Sequence, residues 1–255
     1  SNYDKRYTGS FDGAGHTVSG LYIVTTNGTK GIGMFGYAGT GSMISNLTLA
    51  DSIINGTANY TGGIAGDAYD MQNCHVLKSV TVTGTQYVGG VAGYVDHSIS
   101  KCSNAATVTA SSSNVGGITG NMNGRNMLAC YNSGTITGAS LVGGLAGALY
   151  SGGTIDSCYN TGTVKATKGV AGGLLANFRS GTLTNSYTST LSEAKSAGSV
   201  AGHLEWSSGQ KTLNKVYVPA SDLETVGDRN GCTIQNGAAE SKTADELRAL
   251  TAEEI

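Results

Sequence analysis

The sequence predicts an all-β fold: a right-handed parallel β-helix of about eight coils of ~27 residues, with a short C-terminal helix. Three observations carry this reading. A six-residue glycine motif recurs at a fixed period, a cysteine column keeps nearly the same period independently, and the intervening segments have strand-type composition. The motif reads Thr61-Gly-Gly-Ile-Ala-Gly66, Val88-Gly-Gly-Val-Ala-Gly93, Val115-Gly-Gly-Ile-Thr-Gly120 and Val142-Gly-Gly-Leu-Ala-Gly147, with starts 27 residues apart. Ala171-Gly-Gly-Leu-Leu-Ala176 and Ala197-Gly-Ser-Val-Ala-Gly202 continue it, and Gly31-Ile-Gly-Met-Phe-Gly36 is a degenerate copy upstream. Cys74, Cys102, Cys130 and Cys158 lie 28 residues apart, and the column continues as Leu21 and Leu47 before them and Ser186 and Val216 after.

Short runs of Val, Ile, Thr and Tyr punctuated by Gly, Asn and Ser read as strands and turns. A helical repeat would need long runs of 3.6-residue periodicity, and a propeller blade needs about 40 residues. Three short strands per ~27 residues fit one coil of a β-helix, stacked at ~4.8 Å. Residues 1–20 are expected to close the first coil, and the repeats run to 218. Residues 219–241 read as irregular. Thr243-Ala-Asp-Glu246 is a capping box, so residues 242–255 should hold a short helix leading into a further domain.

Each column then has an expected role. Gly62, Gly63, Gly89, Gly90, Gly116, Gly117, Gly143 and Gly144 are expected at corners of positive φ and in a narrow lumen. Ile64, Val91, Ile118, Leu145, Leu174 and Val200 should stack inward, whereas strand alternation would turn Ala65, Ala92, Thr119, Ala146 and Ala201 outward. Cys74, Cys102, Cys130 and Cys158 read as a buried ladder of free thiols acting as small hydrophobes. On that reading Cys130→Val is mild and Cys130→Asp is not. Asn104, Asn132 and Asn160 should cap neighbouring turns, with Tyr131, Tyr159 and Tyr187 stacked beside them. Cys232 lies outside the register.

Composition excludes several functions. The chain has 255 residues with 40 Gly and 1 Pro, and charged residues make up 13%, against a usual ~25%. Collagen needs Gly at every third position with abundant Pro, and a flexible linker would not carry 39% hydrophobic residues. A net charge of −2 gives no footprint for nucleic acid, and no apolar run is long enough for membrane insertion. No phosphate loop, nucleophile elbow, zinc-protease or paired-cysteine motif is present, so no cofactor, metal or catalytic residue is assigned. Ranks of Thr-x-Thr could suggest an ice-binding face, but they break at Lys165.

The distinctive polar side chains follow the glycine motifs: Asp67 and Asp70, Asp96 and His97, Arg125, Tyr150, Arg179, then His203, Glu205 and Trp206. Stacking in register would line them along one edge. Paired carboxylates beside His or Arg are what a polysaccharide lyase or hydrolase needs, and Trp206 could stack on a glycan. A different residue in each coil also fits ordinary solvated loop charge.

The segment Val142-Gly-Gly-Leu-Ala-Gly147, with Thr154-Ile-Asp-Ser-Cys-Tyr-Asn160 and Gly162-Thr-Val164, resembles the GLUG-motif repeat of bacterial surface proteins. That repeat also occurs outside the protease domain of IgA-specific metallopeptidases. Residues 9–23 resemble the coil that precedes such repeats and residues 243–247 the segment that follows, while Gly31–Gly36 and Ala171–Ala176 depart from the motif. The resemblance implies an extracellular location, cell-wall associated or secreted, and no catalytic residues. The resulting expectation is a non-enzymatic stalk or adhesion module. It would present a surface to a host or environmental glycan or protein, beside other domains of the same chain. The alternative is a carbohydrate-active β-helix working through the Asp/His/Arg edge.

Overall fold

The structure is a computed structural model, and it describes residues 6–26, 31–57, 59–123, 125–205, 209–221, 224–229 and 233–250. The chain winds into a parallel β-solenoid of about seven turns with three faces. The long face is an 18-stranded sheet, the second a seven-stranded sheet of Thr-rich strands, and the third a six-stranded sheet built on the glycine motif. On the second face Thr107, Val108 and Thr109 pair with Thr81, Val82 and Thr83 below and with Thr135, Ile136 and Thr137 above, all in parallel. Equivalent residues therefore stack on one another.

One apolar core runs the length of the solenoid. Ile64, Val91, Ile118, Leu145, Leu174 and Val200 are completely buried in it, with Val82, Val108, Ile136 and Val164 from the Thr face. Among the described residues the last copy, 201–219, supplies strands to the long face only. Eight sequence copies thus make about seven turns.

Three expectations require correction. None of the eight paired glycines has a positive φ. The left-handed corners belong instead to other residues: Asn46, Asn73, Lys101, Ala129, Ser157, Asn185 and Lys215 have φ between 45° and 53°. A second such column is Tyr60, Tyr87, Asn114 and Leu141. The glycines are needed for space. A Cβ on Gly116 would stand 2.7 Å from the Leu145 carbonyl oxygen and the Ala146 Cα in the next coil, and Gly62, Gly89 and Gly143 face the same collision. The second glycine of each pair clears another neighbour: a Cβ on Gly90, Gly117 or Gly144 would overlap the amide group of Asn104, Asn132 or Asn160.

Ala65, Ala92, Thr119, Ala146 and Ala201 are not outward but completely buried. The backbone bends at Gly63 and Ile64 and at the equivalent residues, which resets strand alternation, so Ile64 and Ala65 both point inside.

Residues 219–241 are not wholly irregular. Val226–Asp228 and Ala239–Lys242 add to the long face, with Val226 on Ala201 and Ala239 on Val216. They pair an edge that would otherwise offer unpaired backbone groups. The helix Ala244–Arg248 follows, with its capping box closed by Glu246 N–H to Thr243 Oγ1 (3.3 Å) and Thr243 N–H to Glu246 Oε2 (2.6 Å). Thr251–Glu254 and Cys232 lie outside the described residues.

Candidate functional site

The chemically capable residues divide into two groups: those that bond to their own copies and those that do not. The four cysteines belong to the first group. All are free and fully buried. Each lies directly after a left-handed corner, and its thiol donates to the carbonyl two residues back, as in Cys102 to Ser100 (3.2 Å) and Cys158 to Asp156 (3.1 Å). Each sulfur also accepts from the coil before it: Cys74 N–H reaches Cys102 Sγ (3.4 Å), Cys102 N–H reaches Cys130 Sγ (3.4 Å), and Cys130 N–H reaches Cys158 Sγ (3.3 Å). Ser186 ends the ladder by accepting from Cys158 N–H (3.2 Å) and donating to the Thr184 carbonyl (2.7 Å). The thiol is thus a hydrogen-bonding corner residue as well as a small hydrophobe. Burial pushes the Cys102 and Cys158 thiols well above their ordinary pKa.

The Asn ladder is closed in the same way. Asn104 Nδ2 donates to Asn132 Oδ1 and Asn132 Nδ2 to Asn160 Oδ1, both at 2.8 Å. Each amide oxygen also accepts from the N–H two residues on: Ala106, Gly134 and Gly162. Tyr131, Tyr159 and Tyr187 stack outside with centroids 5.0 and 5.1 Å apart.

The second group lies on the long face after each glycine motif. There the residue following the motif's last position changes from coil to coil: Tyr37, Asp67, Tyr94, Asn121, Ala148, Asn177, His203 and Asp228. The edge residues fall into separate clusters. Arg179 Nε lies 3.6 Å from Glu205 Oε1 and over the Tyr150 ring at 5.5 Å, and Asn177 Nδ2 donates to Glu205 Oε2 (2.6 Å). His203 Nδ1 contacts Asp228 Oδ2 at 3.0 Å. Arg125 is exposed, and its backbone bonds to His97 and Thr154. Asp70 Oδ1 bonds to His97 Nδ1 at 2.7 Å, and that imidazole stacks on Tyr69 at 4.7 Å. Trp206 lies outside the described residues.

Tyr69 leads to a cavity. It has a volume of about 390 Å³, and its walls include Tyr37, Tyr60, Tyr69, Tyr94, Asp67 and Asp96, with Arg6. Tyr60 meets Tyr94 edge-on at 5.3 Å. Asp67 sits on the strand register between Tyr37 and Tyr94. Burial first, and then the Asp96 carboxylate, push its pKa up to about 7, while the Arg6 guanidinium opposes the shift. Asp96 accepts from Asn123 Nδ2 at 3.5 Å. A protonatable carboxyl beside a second carboxylate can exchange a proton or accept hydrogen bonds, and the tyrosine rings can hold a cation or a sugar face. Of the cavity residues, the edge read from sequence includes Asp67 and Asp96 only. Among the described residues no group of three or more His, Cys, Asp or Glu could hold a metal ion, and no helix is long and apolar enough to cross a membrane.

Faces, ladders and edge together define a repeat-built parallel β-solenoid module. Residues 84–109 and 138–165 match the GLUG motif family. A 108-residue stretch is 36% identical to halomucin of Haloquadratum walsbyi (strain DSM 16790 / HBSQ001); it spans 42% of this chain and 1% of halomucin. The fold is similar to the crystal structure of a candidate immunoglobulin A1 protease from Bacteroides ovatus. The TM-score is 0.58 at 20% identity, covering 93% of this chain and 70% of that one.

Proposed function

We propose that this chain is a non-enzymatic β-solenoid module of an exported surface protein, presenting its long-face edge to a host or environmental glycan or protein beside other domains of the same chain. The observation that carries this reading is the closure of the ladders. Cys, Asn and Tyr side chains that could do chemistry are committed to bonds with their own copies, and the coil-to-coil variation lies along one edge. A stiff rod with a variable edge suits display. A second reading, hydrolysis or lyase chemistry on a polysaccharide, draws support from the Asp67–Asp96 pair, since a carboxyl raised to about 7 beside another carboxylate is how acid and base roles are divided.

One experiment separates the two. The chain is applied to arrays of glycans and extracellular-matrix proteins, and positive glycans are then incubated with it and assayed for new reducing ends or unsaturated sugars. Reproducible capture without cleavage is expected. Cleavage that disappears in Asp67→Asn would replace the display reading with the enzymatic one, and absence of capture on every array would remove the adhesive role.

A further inference from the structure

We infer that the cavity walled by Tyr37, Tyr60, Tyr69, Tyr94, Asp67 and Asp96 is a binding site for an organic cation, a protonated amine or quaternary ammonium group. This goes beyond the edge as a display surface by naming a cavity and a ligand chemistry, and it rests on that reading only for the choice of face.

Four phenol rings from three repeat positions line one opening of about 390 Å³, room for a small organic group. Ring faces carry negative potential and attract cations, most effectively where water is partly excluded. The arrangement is also supported from behind, because Tyr69 is backed by His97, itself held by Asp70.

Charge selects among possible occupants. Among the described residues the ionisable groups lining the cavity are the carboxyls of Asp67 and Asp96, the Arg6 guanidinium, and the four phenols. Two carboxylates against one guanidinium disfavour an anion. A metal ion would find two carboxylates and no third acidic, His or Cys ligand among the described residues. Among the described residues no partner is in hydrogen-bond or ion-pair contact with the Asp67 carboxyl; Arg6 favours its ionised form from farther off, and the second carboxylate raises the cost of ionising it. A cation seated against it would supply that partner and draw off its proton. Binding should therefore tighten as pH rises through the range in which free Asp67 titrates.

The test is isothermal titration calorimetry of the whole chain with choline chloride as probe. Its uncharged isostere 3,3-dimethylbutan-1-ol serves as the matched control, at about pH 5.5 and about pH 8. Choline should bind at the higher pH about tenfold or more tightly than the isostere. Asp67→Asn should lose about tenfold in affinity together with the pH dependence. Glu193→Gln, which removes a carboxylate paired with Lys165 on the Thr face, should bind choline as the parent does. A cooperative thermal transition at or above the parent's establishes that Asp67→Asn is folded, and Tyr94→Phe, which keeps the ring, should still bind. Equal heats for choline and the isostere, unchanged affinity in Asp67→Asn, or no binding up to about 10 mM choline would overturn the inference. Glycan capture on the arrays with no choline binding would leave the display reading standing and remove this one alone.

Discussion

Two regions of the solenoid, the Cys and Asn columns and the column after the glycine motif, share one backbone plan, yet they use their side chains in opposite ways. In the first region a register position keeps its chemistry: Asn104, Asn132 and Asn160 bond in line, and Cys102, Cys130 and Cys158 do the same. An amide can donate upward and accept downward, and a thiol accepts one N–H while donating to a carbonyl, so identical residues satisfy one another. In the second region the position after the motif reads Tyr37, Asp67, Tyr94. Carboxylates stacked coil on coil would repel, so a charged residue cannot ladder with its own kind. Self-pairing residues repeat and hold the rod, whereas residues that cannot self-pair vary and leave a cavity.

The contrast can be broken most severely in the ladder. Cys130→Asp places a carboxylate at a fully buried site whose neighbours are an N–H, a carbonyl and thiols. The expected outcome is loss of cooperative unfolding by circular dichroism, or insoluble protein. Gly116→Val comes next. Its Cβ would collide with backbone atoms of the following coil, which cannot move without shifting every coil above, so a loss of about 3 kcal/mol or more is expected in urea unfolding.

Cys130→Val and Cys130→Ser sharpen the account further. Valine was the mild choice while the thiol counted only as a hydrophobe, but it strands the Cys102 N–H and costs about 1–3 kcal/mol. Serine, the residue nature places at 186, should cost less than Val. Equal losses would mean that the sulfur's hydrogen bonds contribute nothing.

The effect in the cavity depends on pH. The Asp67 carboxyl is raised from 3.8 to about 7 in the folded chain. Below about pH 4 it is protonated folded or unfolded and has no influence. Between there and about 7 the unfolded chain releases the proton first, so this group subtracts stability as pH rises. Asp67→Asn should therefore flatten that part of the stability profile, with little change at pH 4.

Much of the solenoid was legible because register in a stack repeats identical residues at fixed spacing, as Thr81, Thr107 and Thr135 do on one face. Ala92 was misplaced because alternation was counted through the bend at Gly90 and Val91, which resets it. The paired glycines were assigned to left-handed corners, yet Lys101 and Ala129 occupy those corners, since what Gly89 and Gly90 avoid is a neighbour visible only once the coils are stacked. The cavity was hidden for a related reason. Tyr60 comes from the corner column, Tyr37, Asp67 and Tyr94 from the column after the motif, and Arg6 from outside the repeat. The available signal was the run Tyr, Asp, Tyr at one repeat position, each directly after a motif's closing glycine.

The division between repeating and varying columns is tested most directly by urea unfolding of Asn132→Ala and Asp67→Asn side by side at about pH 8. Asn132→Ala strands one N–H of the Asn104 amide, whose other bond runs to the Ala106 carbonyl, and the Gly134 N–H, so it should lose about 1–3 kcal/mol for each orphaned donor. Asp67→Asn removes a charge that burial disfavours, so it should gain stability. Opposite signs are the predicted result. Two losses of similar size, or an Asn132→Ala variant as stable as the parent, would contradict the account.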